Sequence, residues 1–269
     1  MKKEILSYYE QNDEVNRLSS YGGQLEFART QELVKRFLKP PPGLVLDVGG
    51  GSGPYSCWLA KEGYAVHLID PVPFLVEQAR QASNKQPEHP IISCSIGDAR
   101  KLDYSDGIAD AVLMFGPVYH LTERTERLAA LSEAFRVLKK GGMLFTVGIS
   151  RFASALDGLF QGFNNDPDFL RIVEQDLKDG QHRNATDKTA DFTDAYLHLP
   201  NELLEEIKEA GFQEPNLFAI EGPAWLLPNL EFYWTNTERR ESLLKIIRKM
   251  ESEPAILGAS AHMLCIAKK

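Results

Sequence analysis

Cysteine is scarce in this chain of 269 residues: only Cys57, Cys94 and Cys265 occur, far apart and without a C-x-x-C pair. An odd number of separated thiols argues against a disulfide framework and against a zinc site, and it fits a reducing compartment. We therefore predict reduced thiols, no bound metal and a cytoplasmic location.

Long apolar runs are also missing, since no stretch approaches 18 uninterrupted apolar residues. At the N-terminus two lysines are followed only by Ile5 and Leu6 before a polar segment begins. The sequence therefore predicts neither a transmembrane helix nor a signal peptide. It contains no internal repeat and no low-complexity tract.

Positive charge is in deficit, with 30 Lys and Arg against 38 Asp and Glu and a formal net charge of −8. Phosphate backbones and anionic membranes attract the opposite sign of charge. The composition thus predicts no nucleic-acid or membrane partner and favours a small molecule. A hydrophobic fraction of 43% and a charged fraction of 25% are typical of globular proteins.

Strand and helix patterns alternate after the proline run at 40–42. Repeated β-α-β units require a parallel sheet with helices on both faces, so we predict a doubly wound α/β fold. Buried strand patterns occupy 44–48, 65–69, 91–95, 109–115 and 143–149. Helical patterns occupy 55–63 and 74–84, and a third runs from about 122, with Lys139 and Lys140 at its C-terminal end and Gly141 as its C′ residue.

The alternation stops at residues 150–199, which contain several aromatic residues among short apolar groups. An insertion of that length is usually functional, and the aromatics favour an ordered helical lid. The pattern resumes with a helix at 202–210, a strand at 216–220, a helix at 238–250 and a strand at 262–267. These additions show no strand set of their own, so a single domain over 1–269 is predicted.

Chemistry concentrates in the segment D-V-G-G-G-S-G at 47–53, between the first strand and its helix. Gly49, Gly51 and Gly53 let the backbone approach a ligand closely at a helix N-terminus. Asp70 and Asp98 follow the second and third strands, at the edge of the sheet where ligands bind. The three strand ends therefore predict one nucleotide crevice.

The spacing of the glycines departs from the dinucleotide pattern G-x-G-x-x-G, because Pro54 stands at the sixth position and the last glycine arrives one residue early. An adenosine that carries a sulfonium and an amino acid suits the segment better. Asp47 could face its cationic end, Asp70 the ribose hydroxyls and Asp98 the adenine amino group.

Four motifs together resemble the class I S-adenosylmethionine-dependent methyltransferases: the glycine loop, the strand ending in Asp70, G-D-A at 97–99 and R-V-L-K-K-G-G at 136–142. The resemblance implies a Rossmann-like sheet of seven strands with the last antiparallel, and S-adenosylmethionine as cofactor. It divides the chain into an N-terminal helical cap (1–39), a cofactor-binding core (44–149), the lid (150–199) and the rest of the sheet (200–269). The cofactor-binding residues it implies are Asp47, Gly49, Gly51, Gly53, Asp70, Pro71, Asp98, Ala99, Phe115 and Gly116; proline at 71 departs from many members.

The segment G-P-V-Y-H-L at 116–121 resembles the G-P-L-Y-H-L motif of a bacterial small-molecule methyltransferase group, and segments at 180–184 and 192–200 also resemble that group. The segment at 116–121 differs from the N/D-P-P-Y/F loop of enzymes that methylate base or amide nitrogens. His120 is the candidate general base because it follows strand four at the ligand edge. The candidate substrate contacts are Tyr119, His182, Arg183, Tyr196 and His198.

Each of these residues also has a structural interpretation. His120 could simply bond backbone, the lid residues could be solvated or packed, and His67, His89 and His262 are expected to be structural. N-terminal residues Tyr8, Tyr9, Arg17, Tyr21 and Arg29 could cover the cofactor or only pack. The predicted activity is methyl transfer to a small organic acceptor by a monomer or homodimer. The alternatives are a non-catalytic module that binds S-adenosylmethionine and an NAD-binding oxidoreductase.

Overall fold

The structure, a computed structural model, describes residues 17–183 and 193–269. Its first element is the helix α1 (Tyr21–Phe37), which begins where the Ser20 hydroxyl accepts a hydrogen bond from Gly23 N at 3.1 Å. The helix ends at the proline run, as predicted for the cap segment.

Five parallel strands form the centre of the molecule in the order β3-β2-β1-β4-β5. They are β1 (Leu44–Val48), β2 (Ala65–Asp70), β3 (Ser93–Ile96), β4 (Ala109–Met114) and β5 (Leu138–Ser150). The helices between them are α2 (Pro54–Lys61), α3 (Pro73–Asn84), the single turn α4 (Pro117–His120) and α5 (Arg124–Val137). Three of these helices begin with proline, which the first turn tolerates because its N–H would have no partner there.

The boundary between α5 and β5 differs from the prediction. The helix ends at Val137, and the strand begins at once, so Gly141 is not a helix C′ residue but lies within β5 with φ +77°. Gly141 N donates to Lys269 O at 2.8 Å, and Lys269 N donates to Gly142 O at 3.0 Å. This pairing with the end of the chain has no local signal in the sequence.

In its described residues the insertion contains two α-helices, α6 (Ala153–Gln161) and α7 (Pro167–Asp179), joined by a short 3-10 turn (Phe163–Asn165), as predicted for a helical lid. It also contains two short strands that were not predicted, β6 (Gln181–His182) and β7 (Ala195–His198). β7 pairs in parallel with the last two residues of β5, so the insertion extends the central sheet. Strands this short give a weak period-two signal. Asn184 and Phe192 of the lid motifs lie outside the described residues.

The last part of the sheet has the topology that the resemblance implies. After α8 (Pro200–Glu209), β8 (Gln213–Ala219) leads through α9 (Leu230–Trp234), α10 (Thr237–Met250) and α11 (Pro254–Leu257) to β9 (His262–Lys268). β9 is antiparallel to both β5 and β8. The first residue of β9, His262, therefore lies beside Ile149 at the carboxyl end of β5.

Buried side chains fill both faces of the sheet. α1, α2 and α3 contribute Leu33, Leu59 and Val76 to one apolar cluster, whereas α5 and α8 contribute Leu131 and Leu203 to the other. A third cluster joins Leu25 of α1 to the C-terminal helices; its other buried members are Ala224, Leu230, Trp234, Leu243, Leu244 and Ile247. Among the described residues, no helix combines the length and apolar character needed to cross a membrane.

Candidate functional site

A cavity of about 490 Å³ opens at the carboxyl ends of β1, β2, β3 and β4. The strand ends that the sequence singled out therefore do meet at one place. All of the predicted cofactor-binding residues except Gly53 line this cavity, as do Tyr119 and His120. The lining residues of this predicted set are Asp47, Gly49, Gly51, Asp70, Pro71, Asp98, Ala99, Phe115, Gly116, Tyr119 and His120.

The glycine loop approaches its neighbours closely at one end and is open at the other. A Cβ atom on Gly49, where φ is +74°, would lie 2.6 Å from Pro117 Cδ, whereas a Cβ on Gly51 would meet no atom within 4 Å. Gly53 caps α2 with φ +85° and packs toward Ala79, so it shapes the turn from outside the lining. The loop thus leaves open space above Gly51, at the start of a helix.

Asp70 is held by two backbone donors. Gly51 N donates to Oδ2 at 2.9 Å and Val72 N donates to Oδ1 at 2.8 Å, and the residue is 5% exposed. Each carboxylate oxygen has a second lone pair that can accept from a ligand hydroxyl. The carboxylate is therefore fixed in position at the wall of the cavity.

Asp47 is almost fully buried next to the glycine loop. Its Oδ2 accepts a hydrogen bond from Ser56 Oγ at 2.6 Å. Burial, with a contribution from the charge of Asp70, raises the pKa of Asp47 to about 6. A negative charge here is costly without a positive partner.

Asp98 is paired with an arginine that the sequence did not single out. Arg100 Nε donates to Oδ1 at 2.9 Å and a terminal nitrogen donates to Oδ2 at 2.5 Å. Arg100 also bonds Glu126 on α5, and it lowers the pKa of Asp98. Since Arg100 and Glu126 both line the cavity, they bridge β3 and α5 at the end that carries Asp98.

Tyr119 and His120 stand together on α4, with ring centroids 4.6 Å apart. His120 is 8% exposed, and burial lowers its pKa to about 4. The imidazole is therefore neutral at neutral pH, and its protonated form is strongly disfavoured. This makes His120 a weak proton acceptor, although its position at the ligand edge is as predicted.

The predicted lid contacts lie outside the cavity lining in the described part of the chain. His182 Nδ1 is 2.9 Å from Asp176 Oδ2, and Arg183 donates to Gln181 Oε1 at 2.6 Å. The ring of Tyr196 lies under a guanidinium, 3.7 Å from Arg127 Cζ. His198 is fully buried, with Nε2 3.5 Å from Glu206 Oε2. These contacts support the structural interpretation of the four lid residues, and their contact with substrate stays a prediction.

Of the N-terminal candidate residues, one lies at the cavity and others pack elsewhere. Arg17 lines the cavity and pairs with Glu26, whereas Tyr21 donates to Glu231 and Arg29 is buried against Glu251. Tyr8 and Tyr9 lie outside the described residues. Tyr55 of α2 also lines the cavity, with its ring centroid 4.8 Å from that of Phe115. The sequence did not single out Tyr55; its position in the first helical turn after the glycine loop is the feature that could have indicated it.

Residues 46–146 match a family model described as a methyltransferase domain. A Bradyrhizobium protein named ubiquinone/menaquinone biosynthesis C-methyltransferase UbiE is 29% identical over 203 residues, which are 71% of this chain and 76% of that protein. The protein of the same name from Neisseria meningitidis is 32% identical over 144 residues, 51% of this chain and 56% of that protein. The chain carries a class I S-adenosylmethionine-dependent methyltransferase domain. The resemblance to this class of methyltransferases is thus confirmed, with S-adenosylmethionine as cofactor, whereas the likeness of the segment at 116–121 to a narrower bacterial group stays a prediction.

Solved structures agree with this methyltransferase fold. A Pyrococcus horikoshii OT3 protein superposes with a TM-score of 0.63 at 18% identity, covering 97% of this chain and 98% of that one. A Thermotoga maritima protein, described as an S-adenosylmethionine-dependent methyltransferase and possible histamine N-methyltransferase, gives 0.59 at 19% identity, with 99% of each chain covered. At these identities the likeness shows the fold alone.

Proposed function

We propose that this methyltransferase transfers a methyl group to a small organic acceptor bound beside Tyr119 and His120. The cavity is the observation that carries the proposal. It has fixed carboxylates at the ends of β1 and β2, whereas Tyr55, Phe115 and Tyr119 supply aromatic lining. Its volume of about 490 Å³ is in the range of cavities that bind small molecules, which supports a small acceptor.

The residues around the cavity suit the cofactor. Asp70 would accept from ribose hydroxyls, Asp98 and Ala99 would face the adenine, and the open backbone above Gly51 would receive the amino-acid end. Asp47, whose charge is costly when alone, would gain a cationic neighbour. Arg17 would face the carboxylate.

S-adenosylmethionine supplies a methyl group on a sulfonium that is already a good leaving group. The chain therefore contributes mainly by positioning the acceptor and excluding water. Tyr55, Phe115 and Tyr119 would provide the apolar enclosure. The sequence leaves oxygen, nitrogen, sulfur and carbon open as the acceptor atom, and the relatives named C-methyltransferases favour carbon among them.

Replacement of Asp70 tests the cofactor assignment. We expect Asp70→Ala to weaken the binding of S-adenosylhomocysteine about 10- to 100-fold, because a hydrogen bond to a charged group contributes about 1.5–3 kcal/mol. Isothermal titration calorimetry measures the change. Asp110→Ala is the matched control, since Asp110 also accepts from a backbone N–H, that of Leu44, but outside the cavity lining. Equal affinity in the Asp70→Ala protein and the parent would refute the ribose assignment.

Transfer itself is tested with methyl-labelled S-adenosylmethionine and a panel of small acceptors. Label in an organic product separates the methyltransferase from a module that only binds the cofactor. Cofactor binding without any labelled product would contradict catalysis on small acceptors.

A further inference from the structure

Three charged side chains meet at the end of the cavity where the adenine is proposed to bind. They are Asp98, Arg100 and Glu126, and all three line the cavity. Asp98 follows β3, whereas Glu126 lies in the first turn of α5. The contacts among these side chains decide which hydrogen-bonding group this wall presents to a ligand.

The backbone sets the first part of the geometry of Asp98. Lys101 N donates to Asp98 O at 3.0 Å and closes a tight turn over residues 98–101. Within this turn, Arg100 N donates to Asp98 Oδ1 at 2.9 Å. An aspartate side chain that accepts from the backbone two residues on is typical of turns. The turn therefore holds Oδ1 without any help from the Arg100 side chain.

The Arg100 guanidinium fixes the rest of the carboxylate. Its Nε donates to Asp98 Oδ1 at 2.9 Å and its Nη2 donates to Oδ2 at 2.5 Å, so that both oxygens are bonded. A carboxylate has about four lone pairs. In the described part of the chain, Arg100 occupies both lone pairs of Oδ1 and one of Oδ2. One acceptor position is left on Oδ2, and the Asp98 side chain is 38% exposed.

Arg100 is itself held from a second side. Its other terminal nitrogen, Nη1, donates to Glu126 Oε1. One guanidinium thus bridges the turn after β3 and the start of α5. It cannot rotate away from Asp98 without also losing the bond to Glu126.

The same contact keeps Asp98 ionised. Hydrogen bonds from Arg100, together with its positive charge, lower the pKa of Asp98 and outweigh the burial that raises it. An ionised carboxylate accepts hydrogen bonds and cannot donate one. The remaining position on Oδ2 therefore fits a donor group of a ligand.

We propose that Arg100 is a positioning residue that makes this end of the site selective for a purine with a 6-amino group over one with a 6-oxo group. The inference rests on the proposed function, in which Asp98 faces the adenine. With its carboxylate fixed and one acceptor position available, Asp98 receives an N–H of the 6-amino group. A 6-oxo group is itself an acceptor, so at the same place two lone pairs would face each other.

The test compares the binding of S-adenosylhomocysteine and S-inosylhomocysteine, which carry an amino and an oxo group at position 6 of the purine. Isothermal titration calorimetry on the full chain at pH 7.5 gives both Kd values, and their ratio measures the selectivity. We expect the parent to bind S-inosylhomocysteine about 10- to 100-fold more weakly, because a hydrogen bond to a charged group is lost. Arg100→Met should lower this ratio about 10-fold, since it leaves the bond from Arg100 N and removes the two from the guanidinium.

Two further variants separate positioning from charge and from general packing. Arg100→Lys keeps the positive charge but lacks the planar fork that reaches both oxygens, so it should recover only part of the ratio. Arg80→Met is the matched control, because the Arg80 guanidinium also bonds β3, at Cys94 O at 2.8 Å, but lies outside the cavity lining. Its ratio should stay parental.

A positioning residue must act through the group that it positions. Asp98→Ala alone should abolish the preference for the 6-amino group, and the addition of Arg100→Met should not lower the ratio further. A merely structural effect of Arg100→Met would weaken the binding of both ligands alike and leave their ratio unchanged.

A parental ratio in Arg100→Met or in Arg100→Lys would overturn the assignment, as would a further fall when Arg100→Met is added to Asp98→Ala. Equal binding of the two ligands by the parent would also overturn it, although the cofactor assignment would then stand because S-adenosylhomocysteine still binds. Failure of the parent to bind S-adenosylhomocysteine would remove the proposed function, and this assignment with it.

Discussion

Asp47 carries an energetic cost that Asp98 does not. Asp98 is paired with Arg100, whereas the buried Asp47 carboxylate accepts hydrogen bonds from two neutral groups, the hydroxyl and the backbone N–H of Ser56. Its pKa of about 6, against an ordinary 3.8, corresponds to about 3 kcal/mol of lost stability when the group is ionised. The folded state binds this proton more tightly than the unfolded chain, so the loss grows as the pH rises from about 4 to about 6.

Asp47→Asn should therefore stabilise the cofactor-free protein, since the amide oxygen can still accept from Ser56 Oγ. We expect a gain of up to about 3 kcal/mol at pH 7.5 and a smaller gain at pH 5, measured by urea unfolding at both values. Affinity for S-adenosylmethionine should fall at the same time, because a cationic cofactor loses a carboxylate.

Asp110→Asn provides the control of opposite sign. Burial raises the pKa of Asp110, but hydrogen bonds from Lys139 and from Leu44 N lower it by more. The ionised form of Asp110 therefore stabilises the fold, and Asp110→Asn should not increase the stability of the protein. Equal stability of Asp47→Asn and the parent at pH 7.5 would mean that the buried charge is compensated.

Sequence reasoning located the residues whose positions follow from strand ends. Asp47, Asp70 and Asp98 stand at or just after consecutive parallel strands, and parallel strands end at one edge. Arg100 bonds Asp98, but nothing in the local pattern shows that it also reaches Glu126 on α5. The hydrogen bond between Glu221 and His262 was beyond reach for the same reason, because it depends on antiparallel pairing between segments far apart in the chain.

At the scale of elements, the lid is joined to the core by a buried arginine. Arg127 on α5 donates to both oxygens of Glu206 on α8 and stacks on Tyr196 of β7. It also donates to the carbonyls of Leu121 and Thr122, which follow the turn that carries His120. One side chain thus connects β7 of the lid to the cavity wall.

Arg127→Met should destabilise the protein by about 3–5 kcal/mol, because the buried Glu206 carboxylate loses its hydrogen bonds from Arg127 and keeps the weaker contacts of His198 Nε2 at 3.5 Å and Arg124 Nε at 3.8 Å. Urea unfolding measures the change, and adding Glu206→Leu should recover part of the loss. Arg124→Met is the matched control: Arg124 pairs with Glu209 between the same two helices, with side chains 50% and 52% exposed, and should cost less than about 1 kcal/mol. A loss at Arg127 no larger than at Arg124 would show that the buried pair contributes little.

At the scale of the whole molecule, the helix α1 packs against the C-terminal segment. Leu25 of α1 packs in the cluster formed by α9 and α10, and Arg29 donates to Ile220 O and to Glu251. Arg17, just before α1, lines the cavity. In the described part of the chain, α1 and the C-terminal helices therefore pack together beside the site, and a single domain over 1–269 stays a prediction.

A single domain of this kind should unfold in one cooperative transition, and ligand binding should move that transition as a whole. S-adenosylhomocysteine at about 100 times its Kd adds about 2.7 kcal/mol, which for a chain of this size corresponds to a rise in Tm of about 5–10 °C. NAD at the same concentration should leave Tm unchanged. Differential scanning calorimetry checks both points, since one unit gives equal calorimetric and van't Hoff enthalpies. Two transitions, of which S-adenosylhomocysteine moves only one, would show instead that the lid or the C-terminal helices unfold separately from the cofactor-binding core.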